Sequence, residues 1–267
     1  MSAKGVSLHI GLNLVDPVHY QSWDGALAAC EFDANDMQAI ATKQGFQTTK
    51  LLTPQATAAN VMAAIESAAK TLKSGDLFLL TYSGHGGQVP DTNNDEKDRK
   101  DETWVLYDRQ LVDDELYQLW GKFKSGVRIL ALSDSCHSGS VTRALPAILG
   151  GPRQRLLPPD VALRTYKANK QAYDAIQKTA GPAELARLRA RVLLISGCQD
   201  NQTSADGDRN GLFTGTLRKV WANGKYAGGH KLFRDKIARL LPPYQCPNYY
   251  VVGAANPAFE TQKPFTI

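Results

Sequence analysis

No apolar run on this 267-residue chain approaches the roughly 20 residues that a bilayer-spanning helix needs, so no membrane partner is expected. The four cysteines, Cys30, Cys136, Cys198 and Cys246, stand far apart without a Cys-x-x-Cys pair. That spacing excludes a structural zinc knuckle or a dithiol redox centre, and nothing in it favours disulfides. The opening stretch to Val15 has an apolar run broken by His9 and Asn13 and lacks a small-residue cleavage site, unlike a secretory leader. A reducing, cytoplasmic setting is the expectation, in which a thiol stays free. There is neither an internal repeat nor a low-complexity tract. The formal charge is only +5, with no basic stripe beside an aromatic platform, so no nucleic-acid partner is expected.

What is present is an ordinary globular composition, and a chain long enough for one large α/β domain. Apolar β-type runs recur at Val6–Val15, Phe46–Leu52, Leu77–Tyr82, Val127–Leu132, Val192–Ser196 and Asn248–Val252. Between them, helical spacing predicts helices over Ala26–Gln44, from Thr53-Pro54 through Leu72, and over Asp113–Phe123, Leu212–Trp221 and Leu232–Leu241. A polar loop, Pro90–Glu102, precedes a short apolar stretch, Thr103–Tyr107. This alternation predicts an α/β fold, a three-layer sandwich with a mostly parallel central sheet and helices on both faces. The pattern breaks over about 142–191, where basic residues outnumber acidic ones and one helix is expected from Pro159 to Lys178. We read residues 1–267 as a single domain with a basic insertion or flap there.

Two short motifs carry the chemistry. Tyr82-Ser83-Gly84-His85-Gly86-Gly87 leaves one strand, and Asp134-Ser135-Cys136-His137-Ser138-Gly139 leaves another. Ligands of open parallel sheets bind at the carboxyl ends of the strands, so His85 and Cys136 can meet there. A thiol and an imidazole within reach make a nucleophile–base pair. Gly84, Gly86 and Gly87 allow positive φ and close backbone approach. The N–H groups of Gly86 and Cys136 are the candidate oxyanion hole. His137 reads as a surface or structural residue, because neighbouring loop side chains point apart, and His9, His19 and His230 have no supporting motif.

The paired motifs resemble the metacaspase branch of the caspase-fold (clan CD) cysteine peptidases. The 51-residue interval from His85 to Cys136 agrees with the His-before-Cys spacing of caspases. The resemblance extends to Cys30-Glu31-Phe32-Asp33-Ala34, Asp101-Glu102-Thr103, Val112-Asp113-Asp114-Glu115-Leu116 and the run Ser196–Ser204, and its wording is most similar to the compact bacterial orthocaspases. It implies a caspase-like fold, a monomer, and protein or peptide substrates cut after Arg or Lys. It further implies an acidic pocket for that residue (S1, holding the P1 side chain) at Cys30, Asp33, Ser83 and Asp134. Carboxylates there suit a guanidinium or ammonium and repel an acidic P1 residue.

Many metacaspases are calcium-activated, and Asp101, Asp113 and Asp114 are the nearest counterparts of that site. The acidic run is interrupted by Lys97, Arg99 and Lys100, and Ser140-Val141-Thr142-Arg143 supplies no further acid after Cys136. Calcium is therefore carried as an option and no cofactor as a requirement. The basic insertion offers Arg143, Arg153, Arg155 and Arg164 as self-cleavage positions, against the competing reading of an uncut flap over the cleft. Two other functions stay open on sequence: a non-catalytic caspase-fold interaction module, and a thiol acyltransferase.

Overall fold

The computed structural model describes residues 2–92, 96, 98–136, 153–182, 186–198, 202 and 204–267. Six strands form the main sheet: β1 (Gly5–Gly11), β2 (Gln47–Leu52), β3 (Leu77–Ser83), β7 (Arg128–Asp134), β8 (Arg191–Ser196) and β9 (Asn248–Gly253). Their order is β2-β1-β3-β7-β8-β9, all parallel except the edge strand β9. The period of two explains why these runs read as continuously apolar. Phe78, Leu80, Ile129 and Val192 enter one core with helices α2 (Ala58–Thr71) and α3 (Asp113–Gly121). Leu77, Leu79, Leu130, Leu132, Leu193 and Ile195 enter the opposite core. That face is covered by α1 (Cys30–Lys43), α6 (Leu212–Trp221), α7 (His230–Leu240) and α8 (Pro257–Thr261). The three-layer architecture with helices on both faces stands as expected.

Several boundaries differ. The strand expected to reach Val15 closes at Gly11, because Leu12 N–H crosses to Ser83 C=O (3.0 Å) and the chain turns over the sheet's carboxyl end. The first helix begins at Cys30 rather than Ala26. The distant Asn13 carboxamide receives the N–H groups of Cys30 and Glu31, capping the helix where no sequence-local cap exists. A three-stranded antiparallel sheet, β4 (Gly86–Pro90), β5 (Lys100–Val105) and β6 (Gln110–Val112), occupies the region read mainly as polar loop. The single helix expected at Pro159–Lys178 is two, α4 (Pro159–Ala168) and α5 (Lys170–Ala180). They break at Asn169, whose φ of −118° leaves the helical region while its carboxamide donates to Thr165 C=O.

The register positions the chemistry. β3 and β7 are neighbours, and Ser83 pairs with Asp134 at their carboxyl ends, so His85 and Cys136 each lie two residues beyond a matched pair. Tyr82 stacks on Trp104 (4.5 Å, 7°), and its hydroxyl donates to His85 C=O at 2.6 Å. These contacts fix the turn that carries the histidine. All four cysteines are free, and among the described residues no helix is long and apolar enough to cross a membrane.

Candidate active site

His85 is buried, and Trp23 tilts against its ring at 4.7 Å. Its Nε2 donates to Gly25 C=O (2.9 Å), which fixes the tautomer and leaves the other nitrogen, Nδ1, without a hydrogen-bond partner among the described residues. Burial pushes its pKa down to about 4, against the opposing pull of Gly25 C=O, so the ring is neutral at pH 7. Gly25 is an orienting group that the sequence did not suggest, because a backbone carbonyl leaves no trace in side-chain motifs.

Cys136 is also buried, its sulfur lying against the Ser204 backbone, whose N–H points at it and whose C=O is 3.7 Å away. The thiol and imidazole are not hydrogen-bonded to each other. Both residues adjoin one peptide bond of the chain's own insertion. Arg155 C=O accepts from Cys136 N–H (3.0 Å) and Gly86 N–H (3.1 Å), and the Leu156 backbone adjoins the His85 ring. On one side of that bond, residues 153–155 run antiparallel to 204–206, with Arg155 N–H donating to Ser204 C=O and Asp206 N–H to Arg153 C=O. On the other side, Leu157 N–H donates to Gly86 C=O at 2.8 Å.

The expected glycine chemistry is corrected in part. None of Gly84, Gly86 and Gly87 has a positive φ. Close approach is what remains: a Cβ on Gly87 would stand 2.7 Å from Gln110 Oε1.

The Arg155 side chain fills the acidic pocket and is wholly buried. Its guanidinium reaches Asp33 at 2.7 Å, Asp134 at 2.9 Å, Asp206 at 3.0 Å and Ser83 Oγ at 2.8 Å. The sequence-predicted residues Asp33, Ser83 and Asp134 are thus brought together. Cys30 borders them, its thiol pushed up to about 12 by burial. Each acid is held in place. Asp33 accepts from Ser83 Oγ, Asn210 Nδ2 and Gly211 N–H. Asp134 accepts from Ser204 Oγ and from the N–H and hydroxyl of Thr214. Asp206 accepts from Ala28 and Ala29 N–H. Burial lowers the pKa of the guanidinium, but Asp134, Cys30, Asp33 and Asp206 outweigh it and the net shift is upward. Asp33, by contrast, is pushed up to about 6 by burial despite Arg155.

Asp206 and Gly211 are the members that sequence reasoning missed. Asp206 sits just past the Ser196–Ser204 run in a stretch that reads as polar loop. A Cβ at Gly211 would lie 2.5 Å from Arg155 Cζ, so only glycine leaves room for the guanidinium. Arg153, the third residue counted back from the bond, reaches Ala26 C=O, and Arg164 is exposed and paired with Asp160. Arg143 and His137 lie outside the described residues.

Asp101, Asp113 and Asp114 also gather. Burial first, then Asp101, Glu102, Asp114 and Glu96, push the Asp113 carboxyl well above its ordinary range. Among the described residues, however, no three acidic, His or Cys side chains converge closely enough to hold a metal ion.

The caspase-domain family model matches residues 13–254. The chain belongs to this family. It is similar to a Geobacter sulfurreducens protein of known crystal structure, with 56% identity and a TM-score of 0.91 over 98% of both chains. Caspase-1 from Spodoptera frugiperda, at 10% identity and a TM-score of 0.56 over 94% of this chain and 87% of its own, shares the caspase fold. Metacaspase-1 from Mycosarcoma maydis is 28% identical over 250 residues, covering 80% of this chain and 61% of that protein. Metacaspase-1 from Cryptococcus neoformans var. neoformans is 29% identical over 253 residues, covering 81% and 54%. The chain spans about half the length of the curated metacaspases it matches, from 42% to 61%.

Proposed function

We propose that the chain is a cysteine endopeptidase of metacaspase type that cleaves after Arg or Lys, and that its own Arg155–Leu156 bond is a substrate. One observation carries this reading: Arg155 sits in the cleft as a P1 residue would, guanidinium among carboxylates and carbonyl between two N–H donors. A flap that merely covered the cleft would not need an arginine there, since a buried guanidinium is costly unless carboxylates are already placed to receive it.

The reaction follows from the groups present. Rotation of the Cys136 side chain away from Ser204 brings Sγ to the Arg155 carbonyl carbon. Neutral His85 takes the thiol proton on Nδ1, because Nε2–H is held by Gly25 C=O. Sulfur adds to the carbonyl, and the oxyanion is received by Gly86 and Cys136 N–H, groups worth about 3–4 kcal/mol each in comparable sites. An imidazolium whose pKa is pushed down to about 4 is a strong proton donor. It gives its proton to the Leu156 nitrogen as the C–N bond breaks, and the acyl-enzyme is then hydrolysed by water with His85 again as base. Neither step needs a metal. Monomeric action on protein or peptide substrates in a reducing compartment, where Cys136 remains a thiol, completes the reading.

The test is to follow the intact chain by mass spectrometry, with and without a chelator. New ends at Arg155 and Leu156 are expected in both conditions and are absent from Cys136→Ala. A chain that stays whole, with no hydrolysis of a short Arg amide, favours the interaction module. Transfer to an added amine without hydrolysis favours the acyltransferase.

A further inference from the structure

The contacts of Arg155 are accounted for by the pocket and the oxyanion hole, but the burial of Leu157, two residues past the bond, is not. Leu157 is 2% exposed and belongs to one apolar cluster with Val15, Tyr20, Val105, Val161 and Ala162, against which half-buried Trp23 packs. Val161 and Ala162 belong to α4 of the insertion itself, but the rest of the wall comes from outside it. Val15 and Tyr20 come from the segment after β1, Val105 ends β5, and the Tyr20 hydroxyl is tied to Leu106 C=O at 2.8 Å. Trp23 joins this wall to the catalytic centre, since the same indole lies on His85. The backbone is gripped as well: Leu157 N–H donates to Gly86 C=O, while Gly86 N–H serves the oxyanion hole. A substrate chain positioned by Gly86 therefore presents its second residue beyond the cut to this wall. Gly87 lines the approach, where a Cβ would stand 3.1 Å from Leu157 Cδ2.

We propose that the cleft carries an apolar S2′ subsite, formed by Val15, Tyr20, Trp23 and Val105, that selects substrates with a leucine-like side chain at the second position after the cleaved bond. The subsite rests on the endopeptidase reading and extends it to the leaving side of the bond. Burying a leucine side chain in such a site raises kcat/KM by about tenfold to a hundredfold over a side chain that must stay wet.

Two internally quenched peptides differing only there, Gln-Arg-Leu-Leu against Gln-Arg-Leu-Asp, test it on the full chain. At least a tenfold preference for the first is expected. Ratios within twofold overturn the subsite while leaving cleavage after Arg intact, and absence of any cut strikes at the endopeptidase reading instead. Self-cleavage supplies an independent measurement. Leu157→Asp should slow appearance of the new amino terminus at residue 156 at least tenfold more than Leu156→Asp does, in chains whose circular dichroism matches the parent. Equal slowing by the two substitutions overturns the proposal.

Discussion

In the proposed S1 pocket three carboxylates surround one guanidinium, and burial first, with Asp134 adding to it, holds the Asp33 carboxyl above its ordinary range. Its pKa of about 6 means that a proton enters the pocket as the solution is acidified through pH 6. Above that pH the Asp33 carboxylate attracts a P1 cation, and below it that attraction is lost. His85, with a pKa near 4, is neutral over the same interval and contributes no limb there. The first-order rate of self-cleavage reports the bound arrangement, so it should fall as pH drops through about 6. Asp33→Asn should lower the rate and abolish that limb. A limb near pH 4 in the parent chain would instead belong to His85. The same pocket makes Gly211→Ala informative. With a methyl group 2.5 Å from Arg155 Cζ, the guanidinium cannot keep its seat among the carboxylates. Cleavage after Arg should fall by about tenfold to a hundredfold, the range that overpacking of 1–3 kcal/mol implies. Alkylation of Cys136 by a small reagent, which needs no S1 pocket, should keep its rate.

Sequence legibility varied element by element, for physical reasons. β3 and β7 are apolar on both faces because helices cover both sides, so Leu77–Tyr82 and Val127–Leu132 announced themselves as continuous runs. Their ends were equally legible, since a reactive side chain after each strand is a local pattern that names His85 and Cys136, whereas Asp33 and Asp134 were named only through the family resemblance. β5 was hidden: its first three residues, Lys100-Asp101-Glu102, give no apolar alternation, and only the antiparallel partners β4 and β6 define it. The start of α1 was misplaced because its cap, Asn13, is seventeen residues away. Asp206 and Gly211 went unread for a related reason. Each meets Arg155, more than fifty residues earlier, and nothing local in the chain marks that proximity.

Across the whole molecule, the Arg155–Leu156 bond falls between β7 and β8, in the middle of the six-stranded sheet rather than at its edge. Each half of a cut chain would hold part of the active site: Cys136, His85, Asp33 and Asp134 on one, Ser204, Asp206 and Gly211 on the other. The halves would remain joined by the parallel ladder from Arg128↔Arg191 to Ser133↔Ser196. Both apolar cores also cross the cut, one pairing Ile129 with Val192 and the other pairing Leu130 and Leu132 with Leu193 and Ile195. Separating the pieces would expose both cores at about 25 cal/mol for each Å² of apolar surface, a penalty that cleavage of one peptide bond does not offset. A cut chain should therefore give two bands under denaturing electrophoresis but a single species of unchanged elution volume on native size exclusion. Thermal unfolding should still proceed in one transition. Two native peaks after cleavage would mean that the β7–β8 seam does not hold the sheet, and the cut would then destroy the S1 pocket.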